Sequence, residues 1–297
     1  MLGSIIGDII GSSYEVEEIL EIKNNPKKKR SYEDRIKILD RNIPLFKENS
    51  SYTDDSVLTT AIADALINNK NYEFYLRKYG NIELTLGLDK YGRSRFGKGF
   101  IEWLKDSEQG KSYGNGSAMR IAPVAYYFDN LDDIHENAIK ATIPSHNNKE
   151  AIDGALAVAD TIFLARNNYS KDKIKEYIKK TYNYDLNFDL EELQKNYTFS
   201  SKCVSSVPQA IYCFLISNDF EDAIRKSISI GGDSDTIACI VGGISEAYYG
   251  IPNKIKENVQ KYIPEYINNV INNFYSKLNE KDKSRILKYI KENKNAK

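Results

Sequence analysis

Two acidic clusters, Thr53-Asp54-Asp55 and Asp233-Ser234-Asp235-Thr236, each stand directly before a long apolar helical stretch. That pairing constrains the fold more than any other feature. Adjacent carboxylates repel and resist ionising together unless a cation sits between them. Oxygen-only ligand sets select hard cations such as Mg²⁺, Mn²⁺ or Ca²⁺. Two such clusters suggest a two-metal site, whose ions lie roughly 3.5–4 Å apart in sites of that kind. A helical chain carrying them has to bring both clusters to one end of a bundle, as bundle metal sites do.

Each cluster also has a plainer reading. Thr53 is a good helix N-cap, and Asp54 and Asp55 then occupy a first turn, where negative charge suits the helix dipole. The same holds for Asp233 or Ser234 before Thr236. A cap needs one short polar residue, however, and each cluster supplies more. Neighbours on a helix point roughly 100° apart, so Asp54 and Asp55 can face different ions.

The helical reading comes from periodicity. Apolar positions predict amphipathic helices over 55–69, 132–142, 148–166, 171–181, 206–217, 219–229 and 235–249, and two lysine-rich helices over 253–293. Strand-like alternation is scarce. Residues 183–197 are aromatic and polar and stay unassigned, apart from room for a short helix at 189–195. Gly3, Gly7 and Gly11 recur every four residues, stacking glycines on one helical face where another backbone can approach. Residues 16–50 are charged and weakly periodic and read as a mobile excursion with short helical or strand pieces. No repeat or Pro/Gly/Ser linker divides the chain. The expectation is one all-α domain over 1–297.

Composition narrows the function. Lys+Arg and Asp+Glu both number 42, so the basic excess behind general nucleic-acid binding is missing. Lys27-Lys28-Lys29-Arg30 reads as a solvated loop. Cys203, Cys213 and Cys239 make an odd count without paired spacing, against a disulfide framework, and Cys213 and Cys239 read as core. His135 and His146 are the only histidines, which excludes a histidine-rich zinc site. The longest apolar or glycine run, 237–244, is too short to span a bilayer. The chain reads as soluble and cytoplasmic.

A third constellation is Lys111-Ser112-Tyr113-Gly114-Asn115-Gly116-Ser117-Ala118-Met119-Arg120. Such a loop can turn successive backbone N–H groups inward as an anion-binding nest; it can equally be an ordinary turn with Ser117 as a cap. Tyr113 offers a face on which a base could stack. His146 follows Ile143-Pro144-Ser145, where Pro144 ends one helix. It reads as a structural hydrogen-bonder or as a donor to a phosphate or ribose oxygen.

These pieces, in this order, resemble the ADP-ribosylglycohydrolase family. The matching segments are Gly7-Asp8-Ile9-Ile10-Gly11-Ser12-Ser13-Tyr14-Glu15, Tyr52-Thr53-Asp54-Asp55-Ser56, Ser112 to Arg120, Ser145-His146 and Gly231-Gly232-Asp233-Ser234-Asp235-Thr236. The resemblance implies an orthogonal all-α fold with two Mg²⁺ or Mn²⁺ ions. It implies Thr53, Asp54, Asp55, Asp233, Asp235 and Thr236 as metal ligands. Ser112, Tyr113, Gly114, Asn115, Gly116 and His146 would line an ADP-ribose cleft. Glu15 falls where the family's serine-linked branch has a mobile catalytic or gating glutamate, and its place before 16–50 would let it swing in.

The implied reaction cuts the glycosidic bond between ADP-ribose and a modified macromolecule through an oxocarbenium-like transition state, with Glu15 or Asp55 handling the proton. Two alternatives stand beside it. A two-metal phosphoesterase would cut the pyrophosphate, but usually draws on several histidines. A non-catalytic ADP-ribose-binding or immunity protein would have no need of Glu15 or an intact ligand set.

Overall fold

The computed structural model describes residues 1–24, 31–68, 71–89, 92, 94–106, 108 and 110–294, with the backbone alone described over 16–24 and 282–294. Its elements are α1 (Leu2–Asn24), α2 (Tyr32–Lys37), α3 (Asp54–Ile67), α4 (Tyr72–Leu86), α5 (Lys98–Lys105), α6 (Gly116–Met119), α7 (Ala122–Tyr127), α8 (Leu131–Thr142), α9 (Lys149–Arg166), α10 (Lys171–Tyr182), α11 (Leu190–Asn196), α12 (Val207–Leu215), α13 (Phe220–Ser229), α14 (Ser234–Tyr249), α15 (Asn253–Val259) and α16 (Glu265–Lys294). Among the described residues there is no strand, only the isolated bridges Lys111↔His146 and Gly114↔Lys202. The all-α expectation holds.

The glycine stripe fixes the centre. A Cβ on Gly3, Gly7 or Gly11 would lie 2.2, 1.9 or 2.3 Å from the carbonyl oxygens of Gly242, Ala238 and Ser234. Only hydrogen at those positions lets α1 and α14 touch backbone to backbone over three turns. α14 is buried all round from Ser234 to Ser245, and α3 from Asp55 to Leu66, the burial of helices inside a core rather than on its surface. Apolar burial continues from Met1 to Phe274 in one cluster.

Outer helices start where the sequence supplies caps. The side chains of Asn130, Asn148, Ser170, Asp189 and Asp219 each accept a first-turn amide. α4 escaped the periodicity argument although its buried positions, Tyr72, Leu76, Tyr79, Gly80 and Glu83, recur at helical spacing. Its inner face carries one aliphatic side chain, Leu76, among tyrosine, glycine and glutamate. Buried Glu83 is held by the Tyr266 hydroxyl and by Arg95 at 3.3 Å.

The segment 16–50, expected as an excursion with short helical or strand pieces, contains helical ones. Residues 16–24 extend α1 and 32–37 form α2; residues 25–30, with the whole basic run, lie outside the described residues. Two buried arginines pin α2 and the segment after it. Arg35 Nη1 donates to the carbonyls of Gln194, Tyr197 and Ile230. Arg225 Nη1 and Nη2 donate to those of Ile38 and Ile43, each at 2.8 Å. All three cysteines are free and buried. No helix among the described residues is long and apolar enough to cross a membrane.

Candidate active site

Both acidic clusters meet where α1, α3 and α14 converge. Gly231 and Gly232 take φ of 74° and 72°, a left-handed turn that suits glycine and aims Asp233 and the first turn of α14 at α1. The backbone contact at Gly7 and Gly11 then sets Asp8 and Glu15, two turns apart on α1, beside Asp233 and Asp235. Oxygen atoms of Asp8, Asp55 and Asp235 lie within 4.8 Å of one another, and so do those of Glu15, Asp233 and Asp235. Asp235 belongs to both triads.

The threonines brace this set. Thr53 caps α3 by accepting from the Asp55 amide at 3.3 Å, while its hydroxyl donates to Asp8 at 2.7 Å. Thr53 therefore caps α3 and holds an Asp8 carboxylate oxygen with the same hydroxyl. Thr236 Oγ1 donates to Asp55 Oδ2 at 3.2 Å. Asp8 also accepts the Thr53 and Ser56 amides at 2.9 and 3.0 Å and the Ser56 hydroxyl.

Packing this many carboxylates together raises their proton affinity. Burial, then repulsion from Asp235, pushes Asp8 up to about 7. Burial, then Asp235 and Asp233, pushes Glu15 up to about 10. Asp54, Asp55 and Asp233 are raised well above the usual carboxylate range, again by burial first and Asp235 second. Asp55 Oδ1 is buried with no hydrogen-bond partner among the described residues. An orphaned carboxylate oxygen inside an oxygen-only set is what a hard divalent cation would satisfy, so the residues fit a metal ion.

Two adjoining compartments make the cleft. One, of about 370 Å³, is lined by Glu15, Asp54, Asp55, Asp233, Asp235 and Thr236 among others. The second, of about 430 Å³, is lined by Ser112, Gly114, Gly116, Trp103, Arg120 and His146 among others. Asp54, Gly97, Asn115, Gly116, Met119 and Ser201 border both. Each volume lies in the roughly 300–1,000 Å³ range of small-molecule sites.

The predicted residues divide unevenly. Glu15 sits within α1, not at the mouth of a loop, and its carboxylate joins a triad. Asp54 borders both compartments but stands outside both triads. Asn115 turns inward, its Nδ2 donating to Asp233 Oδ2 at 2.7 Å and Ser206 Oγ at 3.1 Å, so it braces the acidic set. The nest expectation meets a limit: the Gly114 amide donates to Ser112 Oγ at 3.1 Å and the Asn115 amide to Ser201 O at 2.7 Å, so both are already engaged. Ser117 caps nothing; its hydroxyl is buried against Ala151 O at 2.9 Å. Tyr113 is half exposed and lines neither compartment, with Lys202 Nζ 5.5 Å from its ring centre. His146 is buried at the second compartment, and burial followed by Arg120 holds its pKa well below the usual histidine value. His135 lines neither compartment and pairs with buried Asp160 at 2.7 Å.

Asp8 is the residue the sequence reading missed. It stands in the matching segment Gly7 to Glu15, but as a lone aspartate in an isoleucine-glycine helix it has no acidic neighbour to mark it as a ligand.

Comparison with known proteins fits this geometry. Residues 1–284 match the model of the ADP-ribosylglycohydrolase family. Human ADP-ribosylhydrolase ARH3 is 23% identical over 90% of this chain and 88% of its own length. ADP-ribosylarginine hydrolase Tri1 of Pseudomonas putida (strain GB-1) is 21% identical over 88% of this chain and 72% of its own. A solved structure of an ADP-ribosylglycohydrolase-related protein complex superposes with a TM-score of 0.64 at 17% identity, covering 93% of this chain and 96% of that one, a likeness of fold. With matching segments from Gly7 to Thr236 converging on one cleft, the chain belongs to the ADP-ribosylglycohydrolase family.

Proposed function

We propose that this protein hydrolyses the glycosidic bond joining ADP-ribose to an acceptor, using two Mg²⁺ or Mn²⁺ ions. The observation that carries the reading is the pair of carboxylate triads sharing Asp235. A shared carboxylate is what two neighbouring cations call for, and the second compartment offers room beside them for the rest of ADP-ribose. When bound, the ions would grip the ribose hydroxyls and acidify a water.

Asp8, Asp55 and Asp235 would hold one ion, and Glu15, Asp233 and Asp235 the other, with Thr53 and Thr236 orienting the carboxylates. Asp54, bordering both compartments, faces the junction where the ribose would lie. Glu15 is the residue assigned to the proton. It keeps part of its surface exposed, whereas Asp55 is buried with Oδ2 held by the Thr236 hydroxyl. Ser112, Gly116 and His146 would bound the diphosphate, and Tyr113 would serve only a base reaching the cleft rim.

The test is release from a panel of serine-, arginine- and nucleobase-linked ADP-ribose substrates with Mg²⁺ or Mn²⁺. Free ADP-ribose from at least one linkage supports the reading. AMP as product would indicate pyrophosphate cleavage instead, and tight ADP-ribose binding without turnover on any linkage would indicate a binding protein.

A further inference from the structure

His146 is one end of a buried hydrogen-bond chain. Arg120 Nη2 donates to Ser145 Oγ at 2.7 Å and to Ala141 O at 3.1 Å. Ser145 Oγ lies 2.7 Å from His146 Nδ1. Arg120, Ser145 and His146 are 0%, 4% and 7% exposed. The backbone holds the chain in place: the Trp103 indole donates to Pro144 O at 2.8 Å, the Gly110 amide to the same oxygen at 2.9 Å, and the Asn147 amide to Gly110 O at 2.8 Å. A Cβ on Gly110 would sit 2.3 Å from Ser145 O, so this approach requires glycine.

Donor counting sets the direction. A guanidinium can only donate, so Ser145 Oγ accepts from Arg120. The serine has one hydrogen left and, among the described residues, one acceptor within hydrogen-bond distance, His146 Nδ1. If Nδ1 carried the proton instead, the buried serine hydrogen would have no partner, at the cost of an unmade buried hydrogen bond. Nδ1 therefore accepts, and the ring's proton resides on Nε2. Nε2 lies on the ring edge that faces the loop, 3.1 and 3.8 Å from where Cβ atoms on Gly116 and Gly114 would lie.

We propose that Arg120 and Ser145 are positioning residues that fix His146 as the neutral Nε2–H tautomer, so that the second compartment presents a hydrogen-bond donor to an anionic oxygen of the ligand. Which ligand supplies that oxygen rests on the proposed function; the tautomer does not. The fixed tautomer gives the compartment a donor even though the Gly114 and Asn115 amides are engaged elsewhere.

Nitrogen-15 NMR of the imidazole rings tests this directly. The chain has two histidines, and the signals lost in His146→Gln belong to His146. The expected result is a neutral His146 almost entirely in the Nε2–H form, shifting toward a mixture in Ser145→Ala and returning in Ser145→Thr. Titration calorimetry with ADP-ribose should show affinity about tenfold weaker in Ser145→Ala, the scale of one hydrogen bond to a charged group, and recovered in Ser145→Thr. A predominantly Nδ1–H or evenly mixed ring in the wild type overturns the proposal, and so does an unchanged ring in folded Ser145→Ala. A wild-type protein that fails to bind ADP-ribose counts against the proposed function, while the tautomer in the free protein still decides the relay.

Discussion

The Thr236 hydroxyl donates to the Asp55 carboxylate across 3.2 Å, tying the first turn of α14 to the first turn of α3. Each cluster, read alone, is a helix start. Joined by this bond, with Asp8 and Glu15 entering from α1, they form one site whose carboxylates no single helix could gather.

Asp235→Asn should remove both triads at once. Thermal melts should show a rise in Tm with Mg²⁺ for the wild type, because an ion binding only the folded state stabilises it by mass action. The variant should lose that rise and show little or no turnover. Without metal its Tm should be higher than the wild type's, since one source of repulsion is gone. A variant that keeps the full Mg²⁺-dependent rise would show that Asp235 does not unite the two ion sites.

Stability without metal should fall as pH rises. Asp8 and Glu15 bind protons more tightly folded than unfolded, with folded values of about 7 and about 10 against roughly 4 for exposed carboxyls. Their protonated forms therefore favour folding below pH about 4, and that contribution declines as pH climbs through 7 toward 10. Melts in chelator between pH 5 and 8 should show a falling Tm, and saturating Mg²⁺ should flatten the slope. A chelated protein whose Tm rises across that range would contradict the carboxylate packing.

Gly7→Ala should be severe. Its Cβ would lie 1.9 Å from Ala238 O, which is backbone and cannot rotate aside, so α1 and α14 must separate. Overpacking of this kind costs roughly 1–3 kcal/mol or more, read by urea denaturation. Gly99→Ala is the control: its Cβ meets nothing within 4 Å, and in α5 alanine should be neutral or stabilising by about 0.5–1 kcal/mol.

Glu15→Gln separates proton transfer from shape. The amide keeps the side chain's size but cannot accept a proton. Because Glu15 also belongs to the second triad, metal content is measured alongside: if Glu15 is the base, single-turnover cleavage at saturating Mg²⁺ should slow by roughly 10²–10⁴ while both ions and ADP-ribose affinity are retained. A rate within a few-fold of wild type would move that role to Asp55.

Gly116→Ala should act on the ligand rather than the fold. The new Cβ would sit 3.1 Å from His146 Nε2, crowding the face that a ligand oxygen would use. Affinity for ADP-ribose should drop on the order of tenfold, the effect of one methylene group in a fitted pocket, with Tm nearly unchanged. Unaltered affinity would place the ligand elsewhere in the cleft.

The sequence alone determined what depends on near neighbours. Helical periodicity located α8 to α10 and α12 to α14 within a residue or two, because each carries an aliphatic stripe and most carry a capping side chain. The four-residue glycine spacing announced a close helix contact, and the acidic clusters announced a site. Tertiary structure decided whatever depends on a distant partner. It chose α14 to meet the glycines, and that choice brought Asp8 into the acidic set. It used buried Arg35 and Arg225 to pin 35–43, where local periodicity is weak. It spent the Gly114 and Asn115 amides within the protein, turned Asn115 toward Asp233, and linked Arg120 through Ser145 to His146. Periodicity reports which side of a helix is buried, but the partner on that side is set by packing between segments far apart in the chain.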